Sequence, residues 1–338
     1  MSTPLSTTRP LRLPNAIEDC SLPVLFSILG NYAEKIPPGE PLVLDMQSVR
    51  FYTSGAIAAL LATIRHWLGQ KREVRLLNAE CAPAFKYWQR MDFFTHCGIG
   101  FAEQFHRRDP AGRFVPLRRI SASDAGRVDA IGGEIAGCLF PDMADLSDPE
   151  QTGPYDLVQY ATTELINNVI QHSRSDGFIV AQVFPRQNIV RVAIVDSGIG
   201  IRGSFAETTP SFWDASMDDL DSVVLALQPR VSSKMHVSAG WGMGAVNAGV
   251  GLSIIKEFAR DANGIFTLAS HAGFFQSNHC VPHVASVELA LPQPFPGTLC
   301  VLQVARDKLT DNSQLLLKAK ERLRLLDKAR PFDTLFES

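Results

Sequence analysis

Residues 162–173 read TTELINNVIQHS and place Glu164, Asn168 and His172 at steps of four. At 3.6 residues per turn these positions drift only about 40° per step, so a helix here carries a carboxylate, a carboxamide and an imidazole along one edge. Leu165, Ile166, Val169 and Ile170 fall where they can face a core. An amide oxygen beside an acid suits a hydrated hard cation such as Mg2+. Asn168 would be the ligand and Glu164 would orient or deprotonate a nucleophile. An ordinary surface helix has the same pattern, so the segments around it must decide.

The chain has 338 residues, enough for about two domains. Hydrophobic residues make up 46% and charged residues 20%, a balance that supports real cores. The formal net charge of −3 leaves no basic excess to neutralise phosphates, which argues against a nucleic-acid binder. The six cysteines are scattered without a Cys-x-x-Cys pair and read as reduced thiols. His279, Cys280 and His283 lie close together, but their spacing fits no common zinc site. The opening MSTPLSTTRPLRLP lacks the layout of a signal peptide, and no run approaches the ~20 apolar residues that cross a bilayer. The expectation is a soluble, cytoplasmic protein with no membrane partner.

A flexible tail over 1–11 precedes SLPVLFSILGNYAEK (21–35), which has the pattern of a helix. PLVLDM then reads as a buried strand, and SGAIAALLATIRHWLGQ as a helix capped by Thr53 or Ser54. EVRLLN is a further strand and PAFKYWQRMDFF a further helix. This alternation predicts an α/β unit over 12–105. Residues 106–111, in a polar stretch with a proline and a glycine, form the linker to a second domain over 112–305. There RFVPLRRI reads as a strand, SASDAGRVDAIGGEIAGCLF as a helix, and PDMADLSDPEQTGP as a loop leading to the helix that carries Glu164. GFIVAQVF and NIVRVAIVD read as an antiparallel hairpin. FTLAS, ASVELALP and a run opening at Gly297-Thr298 complete the strands. Within 306–338, SQLLLKAKERLRLLDKAR is an amphipathic helix for docking on its own domain or on a second subunit.

Two further segments bear on chemistry. The second hairpin strand ends in Asp196-Ser-Gly-Ile-Gly, where a buried carboxylate can accept from an exocyclic amine and glycines admit a flat ligand. Gly240, Gly242, Gly244, Gly249 and Gly251 then precede a helix starting near Leu252. Free N–H groups at such a helix start, with the positive dipole end, suit an anion, and a glycine-rich segment before them can act as a lid.

Four pieces in this order resemble the GHKL ATP-binding fold of gyrase, Hsp90, MutL, histidine kinases and anti-sigma serine kinases. They are Glu-x-x-x-Asn-x-x-x-His, Asp-x-Gly-x-Gly, Gly-x-Gly-Leu opening a helix, and a late Gly-Thr, over roughly 112–305. The resemblance implies an α/β sandwich that binds ATP and Mg2+. Asp196 would bind the adenine amine with Thr298 in support, and Gly198 and Gly200 would line the base pocket. Asn168 would ligate Mg2+, while Gly249, Gly251 and Leu252 would hold the phosphates, with Ser232, Ser233 and Lys234 beside them. His172 would be structural support. Glu164 would serve as catalytic base. Histidine kinases usually carry asparagine at that position, so hydrolysing members and anti-sigma serine kinases are the nearer comparison.

The N-terminal unit resembles the STAS domain of anti-sigma-factor antagonists through Leu44-Asp45, Val49, Phe51 and Ser54-Gly55. That resemblance implies a phosphorylatable hydroxyl at Thr53 or Ser54. Helix capping is the alternative reading of the same two residues. The family's acidic residue before the serines is absent, and the turn is one position short. The expected function is ATP hydrolysis or phosphoryl transfer coupled to the STAS-like module or a protein partner. The alternatives are a serine/threonine kinase acting on a STAS-like protein and a nucleotide-gated interaction module without turnover. A homodimer would be a further partner of the same chain.

Overall fold

The computed structural model describes residues 9–143, 149–232, 249–281, 286–309 and 312–325. It is a mixed α/β architecture with both parallel and antiparallel sheets. The N-terminal part contains β1 (Leu11–Arg12), β2 (Ala16–Ile17), α1 (Leu22–Lys35), β3 (Leu42–Asp45), β4 (Phe51–Tyr52), α2 (Ser54–Gly69) and β5 (Val74–Leu77). Two short helices, α3 (Phe85–Arg90) and α4 (Phe93–His96), follow. Strands β1, β3 and β5 form a parallel sheet in that order, and β2 pairs with β4. The single helix expected over PAFKYWQRMDFF is split, because Asp92 adopts a left-handed conformation (φ 57°) between α3 and α4.

After irregular chain over 97–113 come β6 (Phe114–Ile120), α5 (Val128–Leu139), α6 (Pro149–His172), β7 (Gly177–Phe184) and β8 (Ile189–Asp196). Helices α7 (Gly200–Thr208), α8 (Asp219–Ala226) and α9 (Gly251–Asp261) precede β9 (Ile265–Asn278), β10 (Val287–Ala305) and α10 (Asn312–Arg322). The five strands make one antiparallel sheet in the order β6-β7-β8-β10-β9. Two expectations need correction. Helix α6 begins at Pro149, inside the segment read as a loop; Pro154 forfeits only the bond to one carbonyl near the helix start. ASVELALP and the run from Gly297 are one strand, β10, whose register against β9 shifts between Ala290 and Phe295 and again before Thr298. Those shifts carry the strand through Pro292, Pro294 and Pro296, which have no N–H to donate to the ladder.

Both faces of this sheet are covered, which is why its strands read as continuous apolar runs. Along β8, Val190, Val192 and Ile194 pack with α5, α6 and α9 in one core, while Ala193 and Val195 join the other core with Leu60, Ile57 and Leu25 of the N-terminal part. Period-two alternation thus feeds two cores from one strand. A buried polar knot ties the N-terminal face down. Asp19 accepts from Thr53 Oγ1 (2.5 Å), Arg191 Nε lies 3.1 Å from Asp19 Oδ2, Gln276 Nε2 donates to the Asp19 carbonyl (3.2 Å), and an Arg191 Nη2 donates to Gln303 Oε1. The Arg191 Nε–Asp19 contact is close in distance but out of hydrogen-bond alignment. Helix α10 packs on α6 and α9, with Leu315 and Ala319 buried and Arg322 donating to Glu257 and to Asp261 (2.5 and 2.9 Å).

Thr53 and Ser54, read as helix caps or as phosphorylatable hydroxyls, lie at the start of α2. Thr53 caps α2, its Oγ1 accepting from Ala56 N–H (3.2 Å) while donating to Asp19. Both side chains are buried, with relative exposures of 2% and 0%, so neither hydroxyl is open to a kinase in this packing. Among the described residues, no helix is long and apolar enough to cross a membrane.

Candidate functional site

Helix α6 forms because apolar residues recur at Leu157, Val158, Ala161, Leu165, Ile166 and Val169, all buried against the sheet and its neighbouring helices. That burial orients the opposite edge, so Glu164, Asn168 and His172 all line one cavity of about 820 Å3. The cavity floor is the sheet face carrying Ile194, Asp196, Leu268, Thr298 and Cys300. Its far wall is the start of α9, with Gly249, Gly251 and Leu252, and Ser232 lies at the rim. Thus segments from four separate parts of the chain meet around one space.

Asp196 ends β8 on the cavity face and pairs with Gly177 on one side and Thr298 on the other. Burial pushes its carboxyl up to about 7, although the backbone N–H groups of Gly198 and Thr298 partly offset this. The Gly198 N–H donates to Asp196 Oδ1 at 2.8 Å. Gly198 lies so close to Ser173, just beyond α6, that any β-carbon would overlap the Ser173 carbonyl, and Ile199 N–H donates to that same carbonyl at 2.9 Å. The Asp-Ser-Gly turn is therefore clamped to the end of the helix that carries Glu164. Gly200 opens α7 with a left-handed φ of 70°. Beside it Ile201 N–H donates to Ser270 Oγ (2.9 Å), which lies 3.4 Å from Thr298 Oγ1.

Glu164 is mostly shielded from solvent. Burial raises its carboxyl above the usual range, and the nearby Asp129 carboxylate adds to the rise. His172 Nδ1 sits 3.2 Å from Ser204 Oγ on α7, a contact that holds the helix end in place. Gly249 (φ 78°) packs against Val231, where a β-carbon would come within 2.8 Å of the backbone. Ser232 and Gly249 are therefore brought together. Ser233, Lys234, Gly240, Gly242 and Gly244 lie outside the described residues, as does His283.

No protein-family model matches the chain. No curated protein matches it at a significant level either. The case for this site therefore rests on its own geometry.

The cavity gathers Glu164, Asn168, Asp196, Gly200, Ser232, Gly249, Gly251, Leu252 and Thr298. Gly198 stands behind the wall, supporting the turn. Thr53 and Ser54 are not part of the site. Thr53 is bonded to Asp19 beside Arg191, whose side chain leaves β8 on the face opposite Asp196. Two contributors escaped the sequence reading. Ser270 was legible in principle, because it continues the alternation of Leu268 on the cavity face of β9. Asp129 carries no such signal; only the packing of α5 on α6 brings it to the Glu164 end of the cavity.

Proposed function

We propose that the chain is a regulatory Mg-ATP-binding protein of the GHKL type, fused to a STAS-like module, and that Glu164 promotes ATP hydrolysis or phosphoryl transfer. The observation that carries this reading is the convergence of Asp196, Asn168, Glu164 and Gly251 on one nucleotide-sized cavity. The antiparallel sheet with α5, α6 and α9 on one face is consistent with the same family.

The residues present fit the ligand. Asp196, buried at the floor with one oxygen engaged by Gly198, can accept from an exocyclic amine on the base. The first N–H groups of α9, at the positive end of its dipole, suit phosphate oxygens. Among the described residues no three His, Cys, Asp or Glu side chains gather around a metal. Mg2+ would therefore be held by Asn168 together with phosphate oxygens and water, a common arrangement for this ion. Glu164, its carboxyl raised by burial and by the Asp129 carboxylate, is a better proton acceptor for an attacking water or hydroxyl than an exposed glutamate. Bound Mg2+ supplies charge neutralisation of the phosphates.

The coupling to the N-terminal module has a physical basis. Ser197, next to Asp196, donates through Oγ to the Ala62 carbonyl of α2 at 3.1 Å. A shift of the base-binding turn is thereby felt by the longest helix of the N-terminal part. Autophosphorylation of Thr53 or Ser54 is disfavoured by their burial on the far side of the sheet. A kinase activity would act on a hydroxyl of a separate protein.

Purified protein with Mg-ATP, followed for phosphate release and by intact mass, tests the reading. Phosphate release that is lost in Glu164→Gln supports hydrolysis. Phosphate transfer to an added STAS-like protein supports the kinase form, and nucleotide binding with neither outcome supports a binding switch. Absence of any adenine-nucleotide binding refutes all three.

A further inference from the structure

A second cavity, of about 430 Å3, opens where α3, the linker and the start of β6 meet, and shares no lining residue with the cavity around Glu164. Its walls are Arg90 from α3, Phe105, His106, Arg108 and Asp109 from the irregular chain after α4, and Arg113 and Phe114 at the start of β6. Three guanidinium groups facing one space is unusual in a chain of net charge −3. We propose that this seam is a binding site for a phosphate-bearing small molecule, distinct from the cavity around Glu164.

The three charges are only partly compensated, Arg90 by the field of Glu103 and the group by Asp109 in the wall. The linker's other arginine, Arg107, takes the nearby acids for itself, donating to Asp92 (2.6 Å) and to Glu103 (2.9 Å). Among the described residues, Arg90, Arg108 and Arg113 form no ion pair. Asp109 is the one acid in the wall, and its Oδ1 accepts from Ala111 N–H at 2.9 Å, which shapes the turn. Three like charges facing a single acid repel one another, so an arrangement that holds them together is relieved by an anion.

The cavity is also built rather than a chance gathering on loose chain. Arg107 donates to the Gln89 carbonyl (3.1 Å), pinning the linker to α3, and Val183 N–H donates to the Arg113 carbonyl (2.7 Å), pinning the other end to β7. Arg90 stacks over the Phe105 ring at 4.6 Å, which fixes one guanidinium and leaves its N–H edge for a ligand. Guanidinium forks match phosphate oxygens two at a time, and the half-buried Phe105 and Phe114 rings offer an apolar surface beside them. A volume of this size suits a pyrophosphate or a nucleoside monophosphate rather than a macromolecular chain. Such a ligand bridges both halves of the protein across their linker.

Calorimetric titration of the full chain tests the site, with EDTA present to suppress Mg-dependent binding elsewhere. Inorganic pyrophosphate and cytidine monophosphate are the two probes; the better binder identifies whether phosphate alone or phosphate with a stacked base is preferred. The expected result is saturable binding of at least one probe that weakens about tenfold or more in Arg108→Glu/Arg113→Glu. Arg108→Gln, at an exposed position, gives a smaller weakening in the same direction and guards against a folding defect in the double variant. No heat from either probe with the native chain, or equal affinity in the variants, overturns the proposal. A parallel Mg-ADP titration, expected to be the same in native and variant protein, reports on the Glu164 cavity separately.

Discussion

Oε2 of Glu164 rests against the backbone of Gly251, so closely that a β-carbon on Gly251 would overlap it. Helices α6 and α9 are therefore in direct contact at these two residues, and the absence of a side chain at Gly251 is what lets Glu164 reach its place.

Gly251→Ala separates packing from chemistry. Alanine in a first helical turn is favoured over glycine by roughly 0.5–1 kcal/mol, and the atom it displaces is the end of a flexible side chain. The melting temperature should stay within a few degrees of native, while ATP turnover falls about tenfold or more, equivalent to ~1.4 kcal/mol in barrier. Unchanged turnover would show that the position of Glu164 is unimportant.

Asp196 makes stability depend on pH. Its carboxyl is raised by burial from 3.8 to about 7, so between these values the folded protein holds a proton that the unfolded chain has released. That contribution is fully present below pH 3.8 and is lost as pH rises to about 7, at up to about 1.4 kcal/mol per pH unit for one proton. Asp196→Asn, whose amide oxygen can still accept from Gly198 N–H, should be more stable than native at pH 7.5 and flatten the slope. Urea unfolding at pH 5 and pH 7.5 measures this; parallel slopes in both proteins would be the contrary result. On the proposed reading the same variant should also bind ATP and GTP equally, as calorimetry with each nucleotide would show.

Arg191 and Asp19 join the N-terminal part to the sheet as a buried pair in which burial keeps the Asp19 carboxyl raised despite the neighbouring guanidinium. Arg191→Met should destabilise by about 3–5 kcal/mol, because it strands Asp19 without its partner. Adding Asp19→Asn should recover a large part of that loss. A complete double-mutant cycle by denaturant unfolding reads the coupling, and additive losses would argue that the pair does not act as a unit.

Thr53 and Ser54 should respond oppositely to alanine. Thr53→Ala removes a helix cap and the partner of Asp19, costing about 1–2 kcal/mol. Among the described residues the buried Ser54 hydroxyl has no hydrogen-bond partner, so Ser54→Ala should be neutral or stabilise by up to about 1 kcal/mol. Thermal melts of the two variants give the comparison. A larger loss from Ser54→Ala would mean that its hydroxyl has a role this packing does not show.

Short-range regularities were readable from the amino-acid order. The four-residue spacing of Glu164, Asn168 and His172 sets one helix edge, the alternating strands 177–184 and 189–196 pair as a hairpin, and Thr53 caps α2, because each depends on neighbours a few bonds away. Relations across the sheet were not. The burial of Thr53 and Ser54, the approach of Asp129 to Glu164, the Ser197–Ala62 bond and the gathering of Arg90 with Arg108 and Arg113 join separate elements of the chain. The prolines in β10 likewise read locally as a strand break, yet bulges against β9 carry the strand through them. Local propensity sees only the chain's own turn or strand, whereas these contacts arise from packing two layers of helix on both faces of one sheet, a balance of burial that no single segment encodes.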